Sequence, residues 1–142
     1  MPFMKAAVVY FSRTGNTKKL AEDIAHALQA PIFDVAATSP SDIAEFDLIV
    51  FGTPVEGASP TKEAAAFLSA MREVSNKKAI VFNTCRLFGN SRTNKALEKA
   101  LKAKGYETVL AVSKKVKSTE QLDYTDIVAE VKAAVSKLTE NA

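Results

Sequence analysis

The 142-residue sequence contains a single cysteine, a single histidine and no tryptophan. The lone Cys85 cannot form an intramolecular disulfide, which favours a reducing, cytoplasmic setting. One cysteine and one histidine also cannot form a zinc site of the usual cysteine–histidine type. No apolar run approaches the roughly 18 residues that a membrane helix needs, and the first residues lack the pattern of a signal peptide. We therefore expect no metal site and no membrane insertion.

The charge of the chain is small overall but unevenly distributed. The net charge is +3, with −3 on residues 1–71 and +6 on residues 72–142. A basic half could contact nucleic acid or an acidic protein, or it could be a lysine-rich surface in contact with water. Of these we expect the solvated surface or a protein contact, and no nucleic-acid partner.

Five short apolar runs alternate with helical patterns along the chain. The runs are Ala6–Phe11, Pro31–Ala36, Asp47–Gly52, Ala79–Asn83 and Thr108–Val112. Most are continuous rather than alternating, as in strands that are buried on both faces of a parallel sheet. The second run contains Pro and Asp, which favours an edge position. The sequence therefore predicts a single α/β domain over residues 1–142, with a doubly wound, five-stranded parallel sheet of order 2-1-3-4-5 and helices on both faces.

The first loop, Ser12–Thr17, places small and polar residues directly between a strand and a helix. Its sequence SRTGNT matches neither the dinucleotide fingerprint nor the P-loop of nucleotide hydrolases. Hydroxyl and amide side chains, together with the amides of the helix N-terminus, can hold a phosphate. The alternative is that Asn16 or Thr17 is only an N-cap.

This loop resembles the FMN-phosphate loop of flavodoxins, which typically reads [ST]-x-T-G-N-T. The resemblance covers the whole chain, whose five strand–helix units are similar to those of short-chain flavodoxins. It implies a flavodoxin-like fold and a bound FMN. The phosphate would be held by the side chains of Ser12, Thr14, Asn16 and Thr17 and by the amides of Arg13 to Thr17, Gly15 among them.

The same resemblance implies that the flavin ring lies between the second loop, Thr53–Pro60, and the third loop, Thr84–Arg92. The residues expected near the ring are Thr53, Pro54, Val55, Glu56, Gly57, Thr84, Cys85, Arg86, Leu87, Phe88 and Gly89. Phe88 is the aromatic residue placed to stack on the ring. The peptide at Gly57 could turn toward the flavin N5 on one-electron reduction, since glycine changes its backbone conformation at little steric cost. Gly57 could also be an ordinary turn glycine.

The leading interpretation is a small FMN-binding electron-transfer protein with no catalytic acid or base of its own. Cations near the flavin edge predict an acidic redox partner, such as a ferredoxin-like protein or a reductase. These cations are Arg86, Arg92, Lys114, Lys115 and Lys117, set against Glu56 and Glu120. One alternative is an FMN-dependent reductase of quinone-like substrates, and another is a flavodoxin-like interaction module that binds no flavin.

Overall fold

The computed structural model describes residues 5–116 and 123–140 and contains one sheet with helices on both faces. Five strands run parallel in the order β2-β1-β3-β5-β6, which confirms the predicted order. These strands are β1 (Ala6–Tyr10), β2 (Ile32–Asp34), β3 (Leu48–Glu56), β5 (Lys77–Cys85) and β6 (Tyr106–Lys115). A sixth strand, β4 (Ser59–Pro60), pairs antiparallel with β3 and was not predicted.

Among the described residues, three α-helices and two short 3-10 turns connect the strands, and a fourth α-helix follows β6. The helices are α1 (Asn16–Leu28), α2 (Lys62–Ala70), α3 (Asn90–Ala103) and α4 (Thr125–Glu140). The 3-10 turns, Val35–Ala37 and Pro40–Ile43, occupy the connection after β2. That connection is too short for a full crossover helix, as the sequence indicates.

Apolar side chains fill both faces of the sheet. Leu20, Ile24 and Val131 pack from α1 and α4 on one face. Leu68 and Leu97 pack from α2 and α3 on the other. Each helix therefore begins at the carboxyl edge of the sheet and is held along its length by a continuous apolar stripe.

The second loop contains a tight β-hairpin, which the sequence analysis did not predict. Glu56 on β3 pairs with Ser59 on β4, and only Gly57 and Ala58 lie between them. Both have positive φ, 59° and 61°. Two left-handed residues in a two-residue connection are the mark of a type I′ turn, whose twist matches that of the flanking strands.

Candidate functional site

Three connections meet at the carboxyl edge of the sheet. The first loop follows β1, the hairpin follows β3 and the third loop follows β5, and β3 lies between the other two strands. The order in which successive strands are added to the sheet reverses between β1 and β3, and open α/β sheets bind their ligands at this point.

A glycine of the first loop directly precedes α1. Gly15 is the N-cap, with a φ of 97°, and its N–H donates to Ser12 Oγ over 3.1 Å. The alternative that Asn16 or Thr17 is the N-cap is wrong, since α1 begins at Asn16. No side chain among the described residues caps this helix. Its first amide N–H groups, which lack partners within the helix, are therefore left for an external acceptor.

Thr17 is buried beneath this helix end. Its hydroxyl lies 2.7 Å from the hydroxyl of Thr84 at the end of β5, and the two residues are only 1% and 4% exposed. Thr14, by contrast, is exposed and Ser12 and Asn16 are half-buried. The pair Thr17–Thr84 therefore fixes the first turn of α1 on the sheet, while the other polar residues of the loop remain near its surface.

Arg13 joins the first loop to the hairpin and to α2. Its guanidinium donates to both carboxylate oxygens of Glu56, and the distance from Nη2 to Glu56 Oε1 is 3.0 Å. The same Nη2 lies 2.8 Å from Glu63 Oε1. The hydrogen bonds to Glu56 and then to Glu63 raise the pKa of Arg13. The pKa of Glu63 is lowered by a backbone N–H at the start of α2 and by Arg13. The positive charge of Arg13 is thus neutralised within the protein.

Thr53 is buried inside the base of the hairpin. Its hydroxyl donates to Pro54 O over 3.0 Å and accepts from Thr61 N over 3.3 Å. Thr61 in turn caps α2, since its Oγ1 accepts from Ala64 N. Thr53 therefore supports the hairpin from within.

Further out on the hairpin, Pro54 and Val55 are half-buried, whereas Glu56 and Gly57 are exposed. A Cβ built on Gly57 would meet no atom within 4 Å. Its role toward a flavin stays a prediction.

The third loop presents two large apolar side chains to solvent. Leu87 is 77% exposed and Phe88 is 72% exposed. The loop is fastened beneath them, because the buried Cys85 donates its S–H to Phe88 O over 3.1 Å. Gly89, with a φ of 95°, then begins α3 and lies directly against Ala58 of the hairpin.

Sequence reasoning missed a buried asparagine network behind this loop. The Nδ2 of Asn83 on β5 donates to Asn94 Oδ1 and to Asn90 O, and both donor–acceptor distances are 2.9 Å. The Nδ2 of Asn94 donates to Val112 O on β6, and the Nδ2 of Asn90 donates to Ser113 Oγ on the same strand. The first turn of α3 is therefore fixed to two strands.

A repeated tetrapeptide in the sequence indicates that two helices begin alike. Gly-Asn-Thr-Lys at 15–18 and Gly-Asn-Ser-Arg at 89–92 share the same pattern. Both glycines are left-handed N-caps and both helices begin at the asparagine.

The cations expected near the flavin edge, which we call the basic edge, include fewer unpaired charges than the sequence predicts. Lys114 Nζ lies 3.1 Å from Asp126 Oδ1, and the hydrogen bond from this lysine lowers the pKa of Asp126. Arg86, Arg92 and Lys115 make no ion pair within the part of the chain that the structure describes. The predicted contributions of residues 117 and 120 lie outside the described residues.

Comparison with known proteins gives the family. A model described as flavodoxin domain matches residues 7–111. The chain belongs to the flavodoxin-domain family. An uncharacterized protein of Methanocaldococcus jannaschii is 38% identical over 106 residues, which cover 73% of this chain and 70% of that protein.

Solved flavodoxins share the fold of this flavodoxin domain. Oxidised flavodoxin 2 of Bacillus cereus matches with a TM-score of 0.81 and 19% identity, covering 94% of this chain and 99% of that one. The flavodoxin of Streptococcus pneumoniae TIGR4 matches with a TM-score of 0.76 and 18% identity, covering 96% and 99%. Within residues 5–116 and 123–140, no helix is long and apolar enough to cross a membrane. The same residues contain no cluster of three or more potential metal ligands from His, Cys, Asp and Glu.

Proposed function

We propose that this flavodoxin domain binds FMN and works as a cytoplasmic electron-transfer protein. The observation that carries the proposal is the start of α1, where Gly15 leaves the helix without a side-chain cap beside the exposed Thr14. Uncapped amides, a helix dipole and neutral hydroxyls form a donor set suited to a phosphate monoester. Across the same edge, the exposed Leu87 and Phe88 suit the apolar body of a flavin.

The chain would hold the cofactor, and FMN would supply the redox chemistry when bound. Ser12, Thr14 and Asn16 would donate to the phosphate together with the first amides of α1. Phe88 and Leu87 would cover one part of the ring and keep water from it. Thr17 would hold the first turn of α1 in place beneath the phosphate, because its hydroxyl is already paired with that of Thr84.

Arg13 would not provide the main charge for the phosphate, since Glu56 and Glu63 already neutralise it. Binding would depend on directed neutral donors and the helix dipole. Charge-assisted hydrogen bonds of this kind contribute about 1.5–3 kcal/mol each.

The partner we propose is an acidic redox protein, ferredoxin-like or a reductase, that docks at the basic edge. Arg86, Arg92 and Lys115 support this proposal because their charges are not balanced by carboxylates within the described residues. Reversing Arg86 and Lys115 to glutamate should slow electron transfer at low salt.

A second candidate is an FMN-dependent reductase of quinone-like substrates. The observation that favours it is the exposed pair Leu87–Phe88, which offers an apolar surface to a small second substrate. NAD(P)H consumption with a quinone present would separate this activity from simple electron transfer.

The direct experiment is a visible spectrum of the purified protein after FMN is added and excess removed. Retained FMN absorbance supports the proposal, and its absence would leave the flavin-free interaction module. Thr14→Ala should weaken FMN by about 10- to 100-fold if one charge-assisted hydrogen bond is lost. Ser69→Ala, which removes an exposed hydroxyl near the C-terminal end of α2, is the matched control and should change little.

A further inference from the structure

An apolar groove lies between α2 and α3, on the outer surface of the layer that these two helices form. It has a volume of about 320 Å³ and runs from Pro60 to Lys104. Half of its lining residues are alanines, with Leu68 and Ala65 from α2 and Ala96 and Ala100 from α3. Small side chains keep the groove open, so that a larger apolar side chain from outside can enter it.

A row of lysines lies on the solvent side of α3, next to the alanine stripe that lines this groove. Lys95, Lys99 and Lys102 occupy positions i, i+4 and i+7 of α3, so they form one stripe along the helix. All three are exposed, and none pairs with a carboxylate among the described residues. The alanine stripe of α3 follows the lysine stripe by one residue, at 96, 100 and 103. The two stripes are therefore neighbours on the helix surface.

The charge on the outer face of α3 is strongly one-sided. The acidic residue of α3, Glu98, lies on the side of the lysine stripe away from the alanines. A surface with an apolar furrow and a cationic border complements a helix whose apolar stripe is flanked by carboxylates.

Within the part of the chain that the structure describes, no helix of a second copy offers this pattern. In α4 the acidic Asp126 and Glu130 are interspersed with Lys132 and Lys137. In α1 the acidic residues follow a pair of lysines, one of which pairs with Asp23. The complementary charge must come from a different protein.

We propose that the α2–α3 groove docks an acidic amphipathic helix of a partner protein. A large apolar side chain of that helix enters between Ala65 and Ala100, and its carboxylates lie on Lys95 and Lys99. This surface lies between α2 and α3 and contains none of the residues expected to bind flavin, so the proposal does not depend on flavin binding.

The test uses a synthetic helical peptide of about 18 residues, long enough to form a helix. It carries a leucine stripe flanked by glutamates, and a second peptide carries lysines in place of the glutamates. Binding of each labelled peptide to the full-length protein is measured by fluorescence anisotropy at low and at physiological salt. The glutamate peptide should bind, and the lysine peptide should bind at least about tenfold more weakly.

Two variants separate the groove from general electrostatic attraction. Lys95→Glu with Lys99→Glu should weaken the glutamate peptide by at least about tenfold, since two attractions become repulsions. Lys132→Glu with Lys137→Glu on α4 is the matched control and should leave binding unchanged. Ala100→Gln, which partly fills the groove with a good helix former, should weaken binding without changing the lysine row.

Three results would overturn the proposal. One is failure of the glutamate peptide to bind the unmodified protein. Another is an equal loss from the α4 reversal and the α3 reversal, which would make the attraction unspecific. The third is unchanged binding of the glutamate peptide to the Ala100→Gln variant, which would show that the peptide does not bind in the groove.

Discussion

Replacing Gly89 by alanine should destabilise the domain through a contact between the third loop and the hairpin. A Cβ at this position would lie 2.6 Å from Ala58 Cα, 2.9 Å from Ala58 Cβ and 3.2 Å from Val55 Cγ1. Two of these distances are too short for real Cβ contacts, and the nearest atom is backbone. Either the hairpin or the start of α3 must therefore move.

Gly15→Ala is a matched control for the backbone term. Gly15 and Gly89 have nearly equal φ, 97° and 95°, and both begin a helix. A Cβ at Gly15, however, would meet nothing within 4 Å. The left-handed conformation costs an alanine about 1–2 kcal/mol at either site. Overpacking against the hairpin should add about 1–3 kcal/mol at Gly89 alone.

The assay is chemical unfolding without added flavin, analysed by linear extrapolation. We expect the free energy of unfolding of Gly89→Ala to fall about 1–3 kcal/mol further than that of Gly15→Ala. Equal losses in the two variants would refute the close packing of Gly89 on the hairpin. A larger loss at Gly15 would refute the matched geometry of the two helix starts.

Three further predictions concern buried hydroxyls, backbone strain and pH. Thr17→Val and Thr84→Val should each cost about 1–2 kcal/mol by leaving a buried hydroxyl unpaired, and the double variant should cost less than their sum in a double-mutant cycle. Ala58→Gly should raise the unfolding free energy by about 0.5–1 kcal/mol, because glycine adopts the φ of 61° without a Cβ penalty; thermal unfolding would show no gain if Ala58 is unstrained. The backbone N–H of Lys5 lowers the pKa of Asp47, so this carboxylate stabilises the fold above about pH 4 and the contribution is lost as the pH falls further. Asp47→Asn should flatten that acid limb in urea unfolding measured from pH 6 downward, and an unchanged limb would contradict the assignment.

The sheet order could be predicted because parallel strands buried on both faces have continuous apolar sequences. The ends of the strands could not. Thr53 pairs in register with Asn83, and Pro54 with Thr84, although Thr53, Pro54 and Thr84 lie beyond the apolar runs. The hydroxyls of Thr53 and Thr84 can be buried because they bond to nearby groups of the fold, and hydropathy along the chain does not reveal such pairing.

The hairpin was missed for a related reason. Its turn is Gly57-Ala58, without the Asn-Gly or Asp-Gly pair that indicates a type I′ connection, and Ala58 is not expected at positive φ. The charge neutralisation at Arg13 was also beyond the sequence, because its two carboxylate partners lie 43 and 50 residues away. The position of the first loop between β1 and α1 could be predicted because small and polar residues directly follow a continuous apolar run.

The central claim, that the edge of the sheet around Gly15 is a phosphate site for FMN, is tested most directly by comparing two flavins. Riboflavin has the same ring as FMN but no phosphate. Isothermal titration of the flavin-free protein with each should give a Kd for FMN at least about 100-fold lower, which corresponds to roughly two lost charge-assisted hydrogen bonds. Equal affinity for the two flavins, or binding of neither, would contradict the account.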